Sequence, residues 1–425
     1  MKKLSYGSAG AEVERLQAAL CRAGYGPLEI DGDFGRETRA ALAAFQLDRR
    51  LAGDGALGPE TAALLRHWLR GYVEYTVRRG DTPYAVALRH GIGLRALETA
   101  NPAMDPTALR AGERLVVPLP FSVVPTNVSF GSALVTDCVR ALAARYPFLR
   151  SRSFGRSVMG RPLWALELGA GPRAVVYAAA HHANEWITAP LLLRFAEELC
   201  EAAAHGGSVR GIRAEEILSN ARLCLVPAVD PDGMDLVTGA LTEGERYAAA
   251  KRVAEAFPDI PFPAGWKANI AGTDLNLQYP AGWERAREIK YAAGFDRPAP
   301  RDYVGSAPLS APESAALCAL TRSLSPDMAI ALHTQGEVIY WRYQGMEPPL
   351  ARHYAECFAA ASGYALDDAP EASSFAGYKD WFIAEFARPG YTVECGLGEN
   401  PLPIADFAEI YRRVRGILVL AAAGC

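Results

Sequence analysis

The sequence predicts a chain of three parts, the largest of which is an α/β domain with a mixed sheet covered by helices. Three features lead to this prediction. From residue 127 to 425, short apolar runs typical of buried strands alternate with helical runs. Residues 1–70 contain a duplicated turn-and-helix pattern, which predicts a small three-helix domain. Residues 73–120 contain two short strand-like runs around two helical runs, which predicts a β-α-α-β module.

The composition narrows the classes of partner. Half of the 425 residues are hydrophobic and 22% are charged, as in soluble globular proteins. The net charge is −4 and no run of Lys or Arg occurs, so we expect neither nucleic acid nor a membrane as partner. The eight cysteines are scattered without a C-x-x-C pair, which favours reduced, buried thiols over disulfides. Polar residues follow Met1–Lys3 where an export signal needs an apolar stretch, so we expect synthesis in the cytoplasm without such a signal.

The first part, residues 1–70, repeats one pattern. The segment Asp31–Leu42 is a glycine-containing turn followed by a helix start, and Asp54–Leu65 follows the same pattern. Apolar residues at helical spacing, such as Val13 and Leu16, precede both copies. This arrangement resembles the three-helix peptidoglycan-binding domain found at the ends of bacterial wall hydrolases. The resemblance implies peptidoglycan as a partner.

The second part, residues 73–120, resembles a LysM domain. The resemblance rests on the turn Gly80–Thr82, on the pair Asn101-Pro102 and on flanking strands that end at Thr76-Val77 and Pro118. LysM domains bind the N-acetylglucosamine chains of peptidoglycan or chitin. Two wall-binding modules in tandem would raise avidity for one insoluble polymer, because the second binding event becomes intramolecular. The prolines between residues 118 and 125 mark a linker to the third part.

In the third part, residues 127–425, polar side chains follow several of the predicted strands. His182, Asp230, His333 and Glu394 all stand at the carboxyl ends of apolar runs, where functional side chains of α/β folds collect. His182 and Glu185 lie three residues apart at a strand-to-helix corner, a spacing that recurs by chance in many proteins. Together with the strand-end His333, however, they make the His₂Glu donor set of a catalytic zinc site with an open fourth position. The sequence therefore predicts a zinc ion in this domain.

The order of these motifs resembles the zinc carboxypeptidase (M14) family over essentially all of residues 127–425. Its entry motif corresponds to Gly155–Arg161 and the turn after its central strand to Pro231–Gly233. Four further motifs resemble one branch, the γ-D-glutamyl-L-diamino-acid endopeptidases that cut bacterial wall peptides: Asn184–Trp186, Trp266–Asn269, Gly377–Trp381 and Glu399–Pro403. The resemblance implies a zinc-carboxypeptidase-like mixed sheet.

The resemblance also implies roles for individual residues. His182, Glu185 and His333 would ligate one zinc ion per catalytic domain, and zinc would activate a water molecule and polarise the scissile carbonyl. Glu394 would be the general base that takes a proton from the water and passes it to the leaving amine. Asp274 would orient His182 through the other ring nitrogen.

The chain departs from the carboxypeptidases where those enzymes hold the substrate's terminal carboxylate. They use an Asn-Arg pair, and this chain has Asn276-Leu277. An Arg fork binds a carboxylate through two hydrogen bonds, which Leu cannot make. We therefore expect the segment Asn276, Leu277 and Gln278 to meet a different charge pattern, that of the free groups of diaminopimelate or D-glutamate.

Two other departures concern the remaining catalytic positions. The family places an oxyanion-steadying Arg after a Trp, and here Trp266 is followed by Lys267, which we expect to act as the electrophile. The carboxypeptidases carry a substrate-capping Tyr several residues before the Asp of an Asp-Trp pair. No Tyr stands at that distance from Asp380, and Tyr378 is too close to it.

The sequence thus predicts a metallopeptidase that hydrolyses γ-D-glutamyl-meso-diaminopimelate bonds in peptidoglycan stem peptides. Two alternatives stay open: a non-catalytic wall-binding protein on a decayed peptidase fold, and a carboxypeptidase that trims wall peptides. Because the endopeptidase branch is associated with sporulating bacteria, we expect a location in the mother cell or spore, or at the cell wall. The preference for diaminopimelate or lysine, the export route and the oligomeric state are not fixed by any motif.

Overall fold

A computed structural model describes residues 3–425. Met1 and Lys2, which begin the predicted first domain and the stretch considered for an export signal, lie outside the described residues. The helices are α1 (Ala11–Arg22), α2 (Arg36–Asp48), α3 (Pro59–Arg70), α4 (Pro83–Arg89), α5 (Leu94–Ala100), α6 (Ser132–Arg145), α7 (Thr188–His205), α8 (Ala214–Asn220), α9 (Pro231–Val237), α10 (Glu245–Glu255), α11 (Trp283–Ala292), α12 (Pro312–Leu324), α13 (Ala351–Ser362), α14 (Tyr378–Phe386) and α15 (Phe407–Ala423). The strands are β1 (Tyr72–Thr76), β2 (Arg114–Pro118), β3 (Arg150–Arg156), β4 (Pro162–Leu168), β5 (Arg173–Ala179), β6 (Ser208–Val209), β7 (Ile212–Arg213), β8 (Ala221–Val226), β9 (Met328–His333), β10 (Val338–Tyr340), β11 (Ala365–Asp367) and β12 (Gly390–Glu394).

The duplicated pattern of the first part becomes two matching hydrogen-bond networks among α1, α2 and α3. Gln17 of α1 donates to the Asp31 carboxylate at 2.7 Å, and Gln46 of α2 donates to the Asp54 carboxylate at 2.9 Å. Each glutamine also donates to a threonine of the following helix at 3.1 Å. The repeat is therefore structural, because in each copy a buried glutamine ties one helix to the turn before the next.

The second part has the predicted β-α-α-β order. Strands β1 and β2 pair antiparallel, with Tyr72 opposite Pro118, and helices α4 and α5 lie between them in the chain. Thr82 caps α4 by accepting a hydrogen bond from the Ala85 amide at 3.1 Å, as expected for Thr before a helix that starts with Pro.

The third part contains a mixed eight-stranded sheet in the order β11-β10-β12-β9-β5-β8-β4-β3, so the predicted fold class is confirmed. The four central strands β12, β9, β5 and β8 are parallel, and their residues are almost entirely buried. Helices pack on both faces of the sheet, which explains why these strands read as continuous apolar runs. Because β12, β9 and β5 are neighbours, the residues at their carboxyl ends meet at one edge of the sheet.

The linker between the second part and the third is bound to the third part along its length. Val123 and Val124 are only 2% and 1% exposed. Their backbone amides donate to the two carboxylate oxygens of Glu197 on α7, at 2.5 and 3.2 Å. The first part is held as well, because Arg15 of α1 forms an ion pair with Asp137 of α6. The first part and the linker are therefore docked on the third part.

Arg145, at the end of α6, also binds this linker. Its guanidinium donates at 2.6 to 3.0 Å to the backbone carbonyls of Gly71, Leu119 and Phe121. The side chain is buried, and a buried charge needs hydrogen-bond partners, which these carbonyls provide. The guanidinium also lies near the Glu197 carboxylate.

We expect the substitution Arg145→Met to release the linker, because a carbonyl left without a donor costs about 1–3 kcal/mol when it is buried. The predicted result is faster cleavage by chymotrypsin after Phe121, measured at a temperature at which the protein is folded. Arg140→Met, on an exposed position of the same helix, is the matched control. Equal cleavage rates in the two variants would show that Arg145 does not hold the linker.

Two further features concern the hydropathy of the helices and the state of the cysteines. No helix between residues 3 and 425 is both long and apolar enough to cross a membrane. In the same range all eight cysteines are free thiols, and five of them are buried: Cys138, Cys200, Cys224, Cys318 and Cys395.

Candidate metal centre and active site

The corner after β5 turns two polar side chains into the protein. A short 3₁₀ turn, Ala183–Glu185, follows His182 before α7 begins. The Thr188 hydroxyl fixes this corner, because it accepts from the Ala180 amide and donates to the Glu185 carbonyl, both at 2.8 Å. His182 and Glu185 are thereby held buried at the carboxyl edge of the sheet.

The structure brings His182, Glu185 and His333 together. Nδ1 of His182 lies 2.9 Å from Glu185 Oε1, and Nδ1 of His333 lies 2.9 Å from Glu185 Oε2. The two imidazole Nδ1 atoms are 3.2 Å apart, and one donor atom from each residue lies within 4.8 Å of the others. Among the described residues this is the group of His, Cys, Asp and Glu that could hold a metal ion.

These three donors fit zinc by their chemistry and their spacing. Zinc prefers imidazole nitrogen and carboxylate oxygen at about 2.0–2.2 Å with tetrahedral angles, which places neighbouring ligand atoms about 3.3 Å apart. The observed separations of 2.9 to 3.2 Å approach that value. Three protein donors leave one tetrahedral position free, as catalytic zinc sites require.

The charges of the cluster show a site that favours positive charge. Burial of Glu185 opposes its ionisation, but His182 and Lys267 outweigh burial and hold the pKa of Glu185 well below its ordinary value. Burial likewise opposes a charged His182, but the Glu185 carboxylate outweighs it and raises the pKa of His182 to about 9. A buried carboxylate that binds a proton-bearing imidazole and a lysine is also suited to a metal cation.

Asp274 contacts the other side of His182. Its Oδ1 lies 3.1 Å from His182 Nε2, and its Oδ2 accepts the backbone N–H of Asp302 at 3.2 Å. Burial opposes the negative charge of Asp274, but His182 outweighs it and the pKa is lowered. This contact favours a proton on Nε2, so Nδ1 is left to bind a metal.

Glu394 is the last residue of β12 and pairs in register with His333 at the end of β9. Residues at matching positions of adjacent strands point to the same face, so the Glu394 side chain stands beside the donor cluster. Burial, and next the Glu185 carboxylate, raise the pKa of Glu394 to about 8. Such a carboxyl group can exchange protons near neutral pH.

Lys267 reaches the cluster from the opposite loop. Its Nζ is 3.1 Å from Glu185 Oε1, and its side chain is 18% exposed. Burial opposes its charge, but Glu185 outweighs burial and raises the pKa of Lys267. The lysine is therefore cationic and stands beside the donor cluster.

The segment expected to bind substrate divides into residues of different kinds. The Asn276 side-chain oxygen accepts the Tyr378 amide at 2.9 Å, and its amide nitrogen has no recorded partner within residues 3–425. Leu277 is buried in an apolar cluster with Trp283 and Val304. Its side chain thus packs inside the protein, and the expected contact with substrate stays a prediction.

Gln278 holds the protein's own loop. Its amide nitrogen donates to the carbonyls of Val304 and Ala307, and its oxygen accepts from Ser310 Oγ and the Ala311 amide. These contacts use both donors and both acceptors of the amide, so none is left for a substrate. A local pattern could not reveal this, because all four partners come from a distant loop.

Four other polar residues at this edge lie outside the donor cluster. The Tyr378 side chain is fully buried and its hydroxyl lies 2.8 Å from Thr321 Oγ1, so it is not placed to cap a substrate. The His181 ring stacks on His333 with centroids 5.4 Å apart. Asp380 is paired with Lys379 at 2.5 Å. Asp230 caps α9 through the Gly233 amide at 2.9 Å.

No sequence pattern singled out Arg301, which the structure places on this edge between two residues of the site. Its neighbours Pro300 and Asp302 are hydrogen-bonded to Lys267 and Asp274. It lies in an irregular, proline-rich loop, where neither strand nor helix periodicity gives a signal.

Family models match three separate segments of the chain. The model described as zinc carboxypeptidase matches residues 135–401. The model described as a peptidoglycan binding domain matches residues 9–65, and the LysM domain model matches residues 75–118. The N-terminal resemblances are thereby confirmed.

Individual proteins are similar over most of the chain. The γ-D-glutamyl-L-diamino acid endopeptidase 1 of Lysinibacillus sphaericus is 39% identical over 301 residues, which cover 71% of this chain and 74% of that protein. YqgT of Bacillus subtilis (strain 168), an uncharacterized protein, is 36% identical over 339 residues, covering 79% and 86%. The crystal structure of carboxypeptidase A from Helicoverpa armigera shares the fold at 17% identity, with a TM-score of 0.53 over 78% of this chain and 79% of that chain. With the family match over residues 135–401, these findings show that the chain belongs to the zinc carboxypeptidase (M14) family of metallopeptidases.

Proposed function

We propose that this metallopeptidase hydrolyses the γ-D-glutamyl-meso-diaminopimelate bond of peptidoglycan stem peptides. The observation that carries the proposal is the placement of Glu394 beside the donor atoms of His182, Glu185 and His333. The relative from Lysinibacillus sphaericus, named for this activity, supports the choice of bond. The proposal also includes one zinc ion per catalytic domain.

The side chains would divide the reaction between them. When bound, zinc supplies an activated water and a polarising charge for the carbonyl. Glu394 would take a proton from the water and transfer it to the nitrogen of the departing diaminopimelate. Lys267 places a positive charge close to the developing oxyanion. Asp274 keeps the His182 ring in one orientation.

The apolar surroundings of Leu277 support an endopeptidase over a carboxypeptidase. A carboxypeptidase needs a cation that binds the terminal carboxylate of its substrate. The side chain that stands after Asn276 is apolar and packs inside the protein. A substrate whose chain continues past diaminopimelate has no terminal carboxylate there, so it does not need a cation at this position.

The N-terminal modules indicate where the protein works. A peptidoglycan binding domain and a LysM domain imply contact with peptidoglycan. We infer that these modules hold the glycan while the stem peptide occupies the metal centre, and that nucleic acid and membranes are not partners. A location at the cell wall or in the spore, after synthesis in the cytoplasm, belongs to the same proposal.

The test is mass spectrometry of two peptides after incubation with zinc-loaded protein: L-Ala-γ-D-Glu-meso-diaminopimelate and the same peptide extended by D-Ala. We expect release of L-Ala-D-Glu from both. Loss of the terminal D-Ala alone would make the protein a carboxypeptidase. Cleavage of neither peptide by a protein that still binds cell wall would favour the non-catalytic alternative.

A further inference from the structure

A short segment beside the metal centre is fixed to both sides of it. The Pro300 carbonyl accepts the backbone amides of Lys267 and Ala268, both at 2.8 Å. Two residues later, the Asp302 amide donates to the Asp274 carboxylate at 3.2 Å. Arg301 stands between these two attachments, so its position relative to the site is set by the backbone.

The Arg301 side chain is held at one end and open at the other. Its Nε donates to Asp302 Oδ2 at 2.6 Å, and the side chain is 45% exposed. Within residues 3–425 its ion pair uses Nε alone, which leaves the two terminal nitrogens to bind another acceptor. A guanidinium anchored in this way loses little entropy when it binds a carboxylate.

The charge of Arg301 is not cancelled by its neighbour. The Asp302 carboxylate also binds Lys290 Nζ at 2.6 Å, so two cations share one acid. The Arg301 guanidinium also interacts electrostatically with Glu185 and with Lys267. A partly exposed guanidinium whose partner acid is shared with Lys290 thus stands on the segment bonded to the backbone of Lys267, the residue proposed to face the scissile carbonyl.

We propose that Arg301 binds the free α-carboxylate of the D-glutamyl residue and so determines specificity on the acyl side of the cleaved bond. This inference rests on the proposed function. In a γ-glutamyl linkage the α-carboxylate is joined to the scissile carbonyl by a short methylene spacer. Because Arg301 stands on the segment bonded to the Lys267 backbone, we place it on the side of that carboxylate, whereas the carboxylates of diaminopimelate belong to the leaving group.

The test compares a stem tripeptide with a free D-Glu α-carboxylate and the same tripeptide with that group amidated. We expect the wild-type protein to favour the acid by about 10- to 100-fold in kcat/KM, the range of a charged hydrogen bond. Arg301→Ala should lower kcat/KM for the acid to the value for the amide and leave the amide unchanged. Arg301→Lys, which keeps the charge and loses the fork, should fall between.

Arg297→Ala is the matched control, because Arg297 is an exposed arginine of the same loop that pairs with the preceding Asp296. It should behave as the wild type on both peptides. Equal losses on acid and amide in Arg301→Ala would overturn the proposal. The proposal would also be overturned if the loss caused by Arg301→Ala on the acid disappeared when lysine replaces diaminopimelate, because Arg301 would then bind the side-chain carboxylate of the leaving residue.

A binding measurement separates this inference from the proposed function. Calorimetry with L-Ala-D-Glu is run on the Glu394→Gln protein with Arg301 intact and with Arg301→Ala. We expect at least about tenfold weaker binding without Arg301. Unchanged binding overturns the proposal for Arg301. Cleavage of neither tripeptide by wild type, with Arg301-dependent binding retained, would overturn the proposed reaction alone.

Discussion

Replacing Glu394 with Gln should lower kcat for the stem tripeptide by about 10²- to 10⁴-fold, the usual contribution of a general base. Gln has the same shape as Glu and cannot accept the proton from water. Because Glu394 stands beside His333 and is not one of the three donors, zinc should remain bound. The variant therefore separates loss of the base from loss of the metal.

The measurement combines single-turnover kinetics with zinc content by mass spectrometry. Glu399→Gln is the control, since Glu399 is exposed and lies on the same segment. We expect the control to match wild type in both rate and zinc content. If Glu394→Gln kept full zinc and more than about a tenth of the wild-type rate, another group would have to be the base.

The second large effect is expected from His333→Ala. Removing one of three donors should reduce bound zinc from one equivalent to below about a tenth, and activity should fall with it. Buried Glu185 would also lose the imidazole Nδ1 now 2.9 Å from it. His353→Ala, at an exposed helix position, should keep both zinc and activity. An active His333→Ala protein without metal would contradict the zinc site.

Zinc binding to the wild type should also release protons. Burial opposes a charged His182, but the Glu185 carboxylate outweighs it and raises the pKa of His182 to about 9. At pH 7 this imidazole is protonated and must lose its proton to bind zinc. Affinity should therefore fall as the pH is lowered. Calorimetry in buffers of different ionisation enthalpy would measure the released protons, and buffer-independent heats would contradict this.

The fold and the donor cluster were predictable because their signals are local. Strands β5, β9 and β12 are buried on both faces and therefore appear as apolar runs, and the donors stand at or just beyond their ends. His182 and Glu185 are further marked by a fixed spacing. Adjacent parallel strands then bring His333 to them without any further sequence signal.

The features of the site that the sequence did not predict involve residues whose partners are distant in the chain. Gln278 looked like a substrate contact, but the loop around Val304 and Ser310 occupies its amide. Arg301 has no motif, and its importance comes from backbone bonds to residues before it in the chain. Neither relation leaves a periodic pattern, so only the three-dimensional structure reveals them.

The contacts of Arg145 and Glu197 with the linker fix the distance between the N-terminal wall-binding modules and the metal centre. A flexible tether would let the cutting site sample many distances from the anchored glycan, at the cost of a lower effective concentration. A docked linker restricts the metal centre to a narrow range of distances from the bound glycan. If the proposed function is correct, the protein can cut stem peptides at this distance from the bound glycan without dissociating. To cut any other stem peptide, it has to release the glycan and bind it again. This fixed distance, as well as the affinity for the wall, would then decide which stem peptides are cut.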